Sequence, residues 1–439
     1  MEKLLQMAKK LCDKVEVYSQ ESTYNSVSFE NAQLHDIDGT LQSGVALRII
    51  KDGKLGFAYT RNLIDREEIL ENALASLEGK VEASYDFPLT TELRQLDTFD
   101  PSLQSVSSKQ MVDECTRVCD LLKSRTDGEI LFGASAQLTE TRIINSEGTD
   151  VSIMGGEYGA SGGVIFPGSG SAIWRVFQNK SFERMPDTMV NEMIELYKTS
   201  SRVVEPKGGR MKVLFMPNSM LTLSWRILSG TSSKNVYERV SPVAGKVGER
   251  IFGENVTIYD DPLDDRRPGA RSFDDEGVAC KPLTIVEKGV LKSFYYDLDY
   301  ASKLKAKSTG HGYRTIISFG ATDPVTQKPG PVLTHMRIQP GNKSFSQLVK
   351  AIDRGMIIDG ALGPHSGNIP NGDYSVGVNP GLYVENGEIV GRVKDAMVAG
   401  NVYETLKDVI EVGDALHPSA WGAWVPAILC DNVSVATKN

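Results

Sequence analysis

Hydrophobic and polar positions repeat with two different periods along the first 80 residues. Apolar residues recur at helical spacing over residues 4–15. Segments with a period of two follow, VEVYS, YNSVSFENAQLHDI, GVALRII and LGFAYT, and this alternation predicts strands. Asp52-Gly53 between the last two is a tight hairpin signal. A helical stripe then predicts a helix from about Leu63 to Leu77.

The same order of patterns occurs again after residue 106. Ser107 and Gln110 form a capping-box signal at the start of a helix. Alternating strands follow, and a closing helix is predicted from roughly Asp187 to Thr199. The predicted turn DIDG (36–39) of the first copy corresponds to NSEG (145–148) of the second. Helix, antiparallel strands and helix are therefore expected twice.

The chain changes character near residue 205, where EPKGG indicates a domain boundary. Beyond it the pattern is mostly β, with hairpins predicted at Lys288-Gly289 and Asn386-Gly387. We therefore expect an α+β fold. Its N-terminal α+β domain covers residues 1–205 and is duplicated at about 1–79 and 107–200, and its β-rich C-terminal domain covers 210–439.

Composition and charge exclude several classes of protein. The 439 residues are 40% hydrophobic and 24% charged, which is an ordinary globular mixture. A net charge of −9 argues against a broad surface for direct nucleic-acid binding. No segment has the apolar core of a secretory signal or the length of a membrane span, so we expect no membrane contact. Five scattered cysteines favour reduced thiols and a cytoplasmic location.

Candidate chemistry is sparse. No two of the five histidines lie within five residues of each other, so no local zinc pair is present. His311 lies between two glycines in a predicted polar turn, where a ligand can approach the backbone. Acidic residues cluster over 260–276 and include Asp275 and Glu276. We interpret this cluster as a solvated loop paired with nearby arginines, and the alternative is a loop that lines a cleft.

The most informative helix carries no acid, histidine or cysteine. LTLSWRILSG (221–230) follows an apolar strand at 213–216 and a turn at Pro217-Asn218. Active sites are often built at such a junction, yet nothing in this helix titrates near neutral pH. The helix therefore lies where an active site is often built but carries no residue that could act there as an acid or a base.

Four segments of the chain, in their order and spacing, resemble those of a known protein family. INSEG (144–148), FDDEGV (273–278), KSTGHG (307–312) and LYVENGEIVGRVKDAM (382–397) resemble the TldD/PmbA family, labelled as modulators of DNA gyrase and grouped with metallopeptidases. In that family the TldD-like subunit carries HExxxH on a helix after a strand, and the PmbA-like or TldE subunit lacks it. The resemblance implies that both subunits together degrade unstructured peptides.

Aligned with that motif, Leu221 replaces the first His, Thr222 the Glu and Arg226 the second His. Leucine has no lone pair for zinc, threonine is a poor general base, and a guanidinium repels a dication. The family's third ligand, a late Cys, is not equated with Cys430. No cofactor and no metal are therefore expected, although Arg226 retains the capacity to bind a carboxylate.

These observations predict a non-catalytic PmbA/TldE-like subunit. It would form a homodimer, or preferably a heterodimer with a TldD-like zinc subunit, and would complete a cleft for extended peptide substrates. One alternative is a stand-alone hydrolase that uses Asp275, Glu276 and His311. The other is a non-enzymatic regulator or binding protein of the gyrase-modulator type.

Overall fold

A computed structural model of the chain describes residues 1–315 and 323–438. The helices and strands of its first part, in chain order, are α1 (Glu2–Ala8), β1 (Lys14–Glu30), β2 (Gln33–Lys51), β3 (Lys54–Thr60), α2 (Arg66–Ala75), α3 (Ser108–Lys123), β4 (Glu129–Asn145), β5 (Asp150–Ile165), β6 (Ala172–Asn179) and α4 (Asp187–Thr199).

The six strands of this part form one antiparallel sheet in the order β3-β2-β1-β4-β5-β6. Each run of three strands lies between two helices along the chain, and the first strands of the two runs, β1 and β4, pair at the centre. Helix α3 begins with the predicted capping box at Ser107. The predicted Asp52-Gly53 hairpin is confirmed, since both residues have the positive φ that such a turn requires.

One predicted turn in the first half is wrong. DIDG lies inside strand β2, where Asp36, Asp38 and Gly39 pair with β1. The chain reverses instead at Asn31 and Ala32, which have φ values of 50° and 58°. The corresponding NSEG turn is confirmed between β4 and β5.

The second part contains a larger number of short strands. In chain order its elements are β7 (Val203–Val204), β8 (Gly209–Phe215), α5 (Leu221–Thr231), α6 (Ser233–Tyr237), β9 (Ile258–Asp260), β10 (Leu283–Glu287), β11 (Val290–Leu291), α7 (Leu298–Lys303), β12 (Gly312–Tyr313), β13 (Gly330–Pro331), β14 (Met336–Ile338), α8 (Phe345–Lys350), β15 (Arg354–Ile358), β16 (Ala361–Leu362), β17 (Asp373–Val378), β18 (Gly381–Glu385), β19 (Glu388–Val393), β20 (Met397–Asn401), α9 (Val402–Thr405), β21 (Val409–Val412), β22 (His417–Pro418), β23 (Trp424–Val425) and β24 (Ile428–Ala436). The hairpins predicted at Lys288-Gly289 and Asn386-Gly387 are confirmed.

A ten-stranded mixed sheet with β8 near its middle organises the second part. Alternate residues of β8 enter two different cores, as the period of a strand requires. Val213 and Phe215 pack with α5, while Leu214 packs with a core that also contains residues of α3 and α4. Helices of the first part are thus buried against the sheet of the second.

The predicted α+β class with a β-rich C-terminal region is confirmed. The boundaries of the two domains stay a prediction, since one core contains residues from both sides of residue 205. Among the described residues, no helix is long and apolar enough to cross a membrane.

Candidate functional site

Helix α5 begins directly after β8 and the short turn at Pro217–Ser219, as the sequence predicts. Its apolar side, with Leu223 and Ile227, is fully buried in the core beneath the ten-stranded sheet. Leu221 is half-buried and Thr222 is buried. The Thr222 hydroxyl finds no hydrogen-bond partner in the part of the chain that the structure describes.

Arg226 is completely buried and is held by backbone oxygens. Its Nε donates to the Asp373 carbonyl at 3.0 Å and its Nη2 to the Ser366 carbonyl at 2.6 Å. Its Nη1 donates to the Thr222 carbonyl at 3.0 Å and to the Pro364 carbonyl. The guanidinium therefore ties α5 to the β16–β17 loop (residues 363–372), and its donors go to carbonyls rather than to a carboxylate.

The electrostatics of Arg226 follow from this environment. Burial lowers its pKa to about 10, and the charge of Asp373 offsets part of that effect. The side chain is still protonated at neutral pH, because that value lies well above 7. A fixed positive charge now stands in α5, where a ligand to a metal dication would have to be neutral or negative.

The residues of α5 do not fit a zinc ion. Zinc in proteins is bound by Cys, His, Asp or Glu, and a catalytic site uses three of them. Leu221, Thr222 and Arg226 supply none. Cys430 lies in β24 opposite Val213, and burial raises the pKa of its thiol. Among residues 1–315 and 323–438, no group of three or more His, Cys, Asp or Glu side chains is arranged to hold a metal.

The interpretation of the acidic cluster as a solvated loop is wrong for its last three residues. Asp274, Asp275 and Glu276 are buried, with exposures of 0%, 4% and 1%. Asp274 closes a tight turn by accepting hydrogen bonds from the backbone N–H groups of Glu276, Val278 and Gly312. Burial and the charge of Glu276 raise the pKa of Asp274 well above its usual range.

Glu276 belongs to a buried network that joins the two parts of the chain. It accepts from Arg48 Nη1 at 2.9 Å, and Arg48 binds Glu16 through Nε and Nη2 at 2.8 and 2.5 Å. Arg314 Nη2 donates to the same Glu16 carboxylate at 2.7 Å. Glu16 and Arg48 lie on β1 and β2, so two carboxylates and two guanidiniums hold the first sheet against residues 276–314. We call these four residues the carboxylate network.

The Asp275 carboxylate accepts hydrogen bonds from a different set of donors. Its Oδ1 accepts from Arg271 Nη2 at 2.6 Å and its Oδ2 from the Arg314 backbone N–H at 2.8 Å. The Arg271 guanidinium also lies over the Tyr313 ring, 5.4 Å from its centroid. Asp275 and Glu276 are thus neighbours in sequence whose carboxylates serve separate contacts.

His311 is also in the interior rather than in a polar turn. Its Nε2 lies 3.3 Å from Asp260 Oδ2, and its Nδ1 lies 2.9 Å from the Thr309 carbonyl. Burial raises the pKa of Asp260, but the neighbouring His311 and His335 outweigh it, so the net pKa is lowered. The other oxygen of Asp260 accepts from the His335 backbone N–H at 2.9 Å. Burial lowers the pKa of the His335 imidazole to about 4.

The structure therefore brings Asp275, Glu276 and His311 into one buried region without aiming them at a common point. Backbone contacts connect them, since the Asp275 N–H donates to the Gly312 carbonyl at 2.9 Å. Burial and the charge of Glu276 also raise the pKa of neighbouring Asp297 to about 8. Protons held on buried carboxylates are frequent at catalytic sites and in structural networks alike.

Sequence reasoning missed the first-part members of this region, Glu16 and Arg48. The signal was present, because VEVYS and GVALRII each place one charged residue among apolar neighbours. A single charge in an apolar strand is either exposed on the other face or buried with a partner. The partner of Arg314 is 298 residues away in sequence, so no local pattern identifies it.

An open polar surface lies next to the buried region. The face of the first sheet that carries Gln20, Thr141 and Glu157 borders a cavity of about 190 Å³ closed on one side by Ala270 and Arg271. Burial raises the pKa of Glu157, which accepts a hydrogen bond from Gln178 Nε2 at 2.8 Å. Hydroxyl and amide side chains at such a surface can bind the backbone of a polypeptide.

The chain matches two protein-family models and a relative of similar length. The family model described as the PmbA/TldA metallopeptidase C-terminal domain matches residues 208–437, and the model described as PmbA/TldA metallopeptidase domain 1 matches residues 15–82. An uncharacterized protein of Methanocaldococcus jannaschii is 28% identical over 419 residues, which cover 94% of this chain and 95% of that protein.

Two further likenesses span nearly the whole chain. A protein named metalloprotease from Methanothermobacter thermautotrophicus is 25% identical over 417 residues, covering 89% of this chain and 86% of that protein. The crystal structure of TldE from Thermococcus kodakarensis is 25% identical and covers 99% of both chains with a TM-score of 0.90.

Proposed function

Because the chain belongs to the PmbA/TldD family of metallopeptidase-related proteins, we propose that it is a PmbA/TldE-like subunit of a TldD/TldE-type peptidase complex. In this role it contributes no zinc ligand. A TldD-like partner supplies the metal, and this chain completes the cleft that holds an unfolded or extended peptide.

One observation carries the proposal. At the position where the TldD-like motif would place its second histidine, Arg226 is buried and its donors are engaged by carbonyls of α5, of Asp373 and of the β16–β17 loop. A catalytic zinc needs three ligands, an open coordination position and a general base. The arginine fills the space of a ligand and adds a positive charge, so α5 serves as a structural support.

The polar face of the first sheet supports the peptide-binding part of the proposal. Its open cavity carries amides, hydroxyls and the Glu157 carboxylate beside apolar groups such as Ile153 and Ala270. The polar groups bind backbone amides without selecting particular side chains, which suits substrates defined by their lack of structure.

The test is a cleavage assay on an unstructured peptide, together with elemental analysis of each purified protein. The chain alone, a TldD-like relative alone and the two combined are each assayed untreated, after chelation and after zinc is restored. We expect zinc to bind the relative in stoichiometric amount and not this chain. Cleavage should require both proteins and should disappear on chelation.

The alternatives predict different outcomes of the same assay. Cleavage by the isolated chain that survives chelation favours a stand-alone hydrolase, for which Asp275, Glu276 and His311 remain the candidates. Stoichiometric zinc on the isolated chain contradicts the proposal directly. If no combination cleaves the peptide but the chain binds another protein tightly, a regulatory or binding role is favoured.

A further inference from the structure

Strand β2 is much longer than the strand that covers its outer edge. It spans Gln33–Lys51, whereas β3 pairs with it only from Val45 to Lys51. Over residues 33–43, β2 pairs with β1 along one of its edges. Along its other edge, no strand of residues 1–315 or 323–438 pairs with this segment. An unpaired edge of this kind exposes N–H and C=O groups that can pair with another chain.

The two faces of this segment differ in chemistry. Ile37 lies opposite Val27 and Leu41 opposite Thr23, on the face where Val27 enters the core beside α3. Ile37 and Leu41 are nevertheless 49% and 68% exposed. The other face carries Asp36 and Asp38. The free edge is therefore apolar on one face and acidic on the other.

Local features limit the free edge to residues 36–42. A register shift between Ser28 and Phe29 of β1 interrupts the pairing just before Asp36. At the other end the Ser43 carbonyl accepts a hydrogen bond from Arg61 Nη1 at 3.4 Å. The middle residue of this stretch is Gly39.

We propose that a second copy of this chain pairs its own β2 edge antiparallel to this one, with the two-fold axis at Gly39. The first sheets of two protomers then form one continuous sheet. The inference rests on the β2 edge alone and does not depend on the proposed peptidase role.

The side-chain pattern selects this register. With Gly39 opposite Gly39 of the second copy, Ile37 lies opposite Leu41 and both apolar faces coincide. Asp38 then lies opposite Thr40 and Asp36 opposite Gln42, so no carboxylate directly faces another. Cross-strand apolar pairs stabilise a sheet, and directly opposed like charges destabilise it.

Neighbouring registers fail on the same criteria. An axis at Ile37 places Asp36 opposite Asp38, and an axis at Asp38 places that carboxylate opposite itself. An axis at Thr40 leaves Ile37 opposite Ser43 and Leu41 opposite Gly39, so the apolar pairs are lost. An axis between two residues brings the apolar face of one strand onto the acidic face of the other, since a shift by one residue exchanges the faces.

The first experiment measures the mass of the full chain by sedimentation or light scattering over a range of concentrations. We expect a dimer that Ile37→Lys or Leu41→Lys weakens at least about tenfold, because either change places a charge in the apolar pair. The matched control is Ile64→Lys, since Ile64 is 77% exposed and lies outside β2. This control should leave the dimer unchanged.

The second experiment tests the register by oxidative cross-linking. Gly39→Cys should form a disulfide-linked dimer, because directly opposed residues of antiparallel strands lie about 4.5–5.5 Å apart between Cα atoms, within disulfide range. The added side chain would meet only the Asn25 carboxamide oxygen, at 3.1 Å. Ile37→Cys should not cross-link, since it lies roughly 13 Å from its counterpart along the strand. The unmodified chain is the background control.

Other outcomes overturn the proposal. They include a monomer at all concentrations, a dimer that neither lysine substitution weakens, and equal cross-linking through positions 37 and 39. Cross-linking of the Gly39→Cys variant to a co-expressed TldD-like relative instead of to its own copy assigns the edge to a heterologous partner. A monomer in which an added extended peptide slows amide exchange over 36–42 assigns it to substrate.

Discussion

Two buried arginines in this chain are satisfied in different ways. Arg226 in α5 donates to backbone carbonyls of its own helix, of Asp373 and of the β16–β17 loop. Arg48 in β2 donates to the carboxylates of Glu16 and Glu276. Both side chains are shielded from water, with exposures of 0% and 2%. The two arginines therefore differ in the groups that accept their hydrogen bonds and not in how deeply they are buried.

The pKa values of the two arginines show what the difference means. Burial lowers the pKa of Arg226 to about 10 because dipoles compensate its charge only in part. For Arg48 burial acts in the same direction, but the charges of Glu16 and Glu276 outweigh it and raise its pKa. Carbonyls hold a charged side chain in place, whereas carboxylates neutralise it and make each partner depend on the others.

The comparison predicts that a break in the carboxylate network has the largest effect. Glu16→Gln removes the charge that Arg48 and Arg314 share, and leaves two buried guanidiniums close together. We expect the free energy of unfolding to fall by about 3–5 kcal/mol, the range for a buried pair that loses one partner. Equilibrium unfolding in urea, followed by tyrosine or tryptophan fluorescence, measures the change.

The control for this prediction is Asp113→Asn, which removes one partner of the exposed Lys109–Asp113 pair on α3. Exposed pairs contribute little to stability, so the urea midpoint of this variant should match that of the parent chain. If Glu16→Gln shifts the midpoint no more than the control does, the network does not stabilise the contact between the two parts.

The pH dependence of stability should also come from the carboxylate-rich interior rather than from α5. His335 has a pKa of about 4 in the folded chain and about 6.5 when unfolded. Between these values the unfolded chain binds a proton that the folded chain does not. The free energy of unfolding therefore decreases as pH falls from 6.5 to 4, by up to about 3 kcal/mol from this group.

A substitution isolates the contribution of this one group. In His335→Gln the loss of stability between pH 6.5 and 4 should be smaller than in the parent chain by that amount. His35→Gln is the control for a histidine substitution as such, because His35 is exposed and lies outside this interior. Parallel stability curves for the parent chain and His335→Gln would show that His335 is not the group that titrates.

Much of the fold could be predicted from local patterns. Helix α4 begins and ends at the predicted residues because Val190, Met193, Ile194 and Tyr197 form one clear stripe. The hairpin at Asn386-Gly387 was found because its turn chemistry is specific. The DIDG error has a physical reason: a Gly and two Asp residues also suit an exposed strand edge, and no local signal separates that edge from a turn.

The candidate site was less accessible to sequence reasoning. The lack of a titrating residue in α5 could be read directly, but the loop carbonyls that bind Arg226 lie about 140 residues away in the chain. The acidic cluster looked solvated because three arginines, Arg266, Arg267 and Arg271, lie among its carboxylates in sequence. Its last residues, Asp274 to Glu276, are buried because Arg48 and backbone N–H groups from distant segments compensate their charges.

The smallest expected effect comes from Arg226→Met, which sharpens the contrast between carbonyl and carboxylate acceptors. The substitution removes a buried charge together with its hydrogen bonds, and the β16–β17 loop is exposed enough for its freed carbonyls to bind water. We expect a loss of about 1–3 kcal/mol, below that of Glu16→Gln, because no charged partner is left behind. The change should be local, so amide exchange over residues 363–373 should accelerate while exchange in β1 and β2 stays constant. Arg210→Met is the control, since Arg210 is an exposed arginine whose guanidinium also donates to a carbonyl, that of Asn432. A loss as large as that of Glu16→Gln, or unchanged exchange in the loop, would mean that the acceptor type does not decide how a buried arginine acts in this fold.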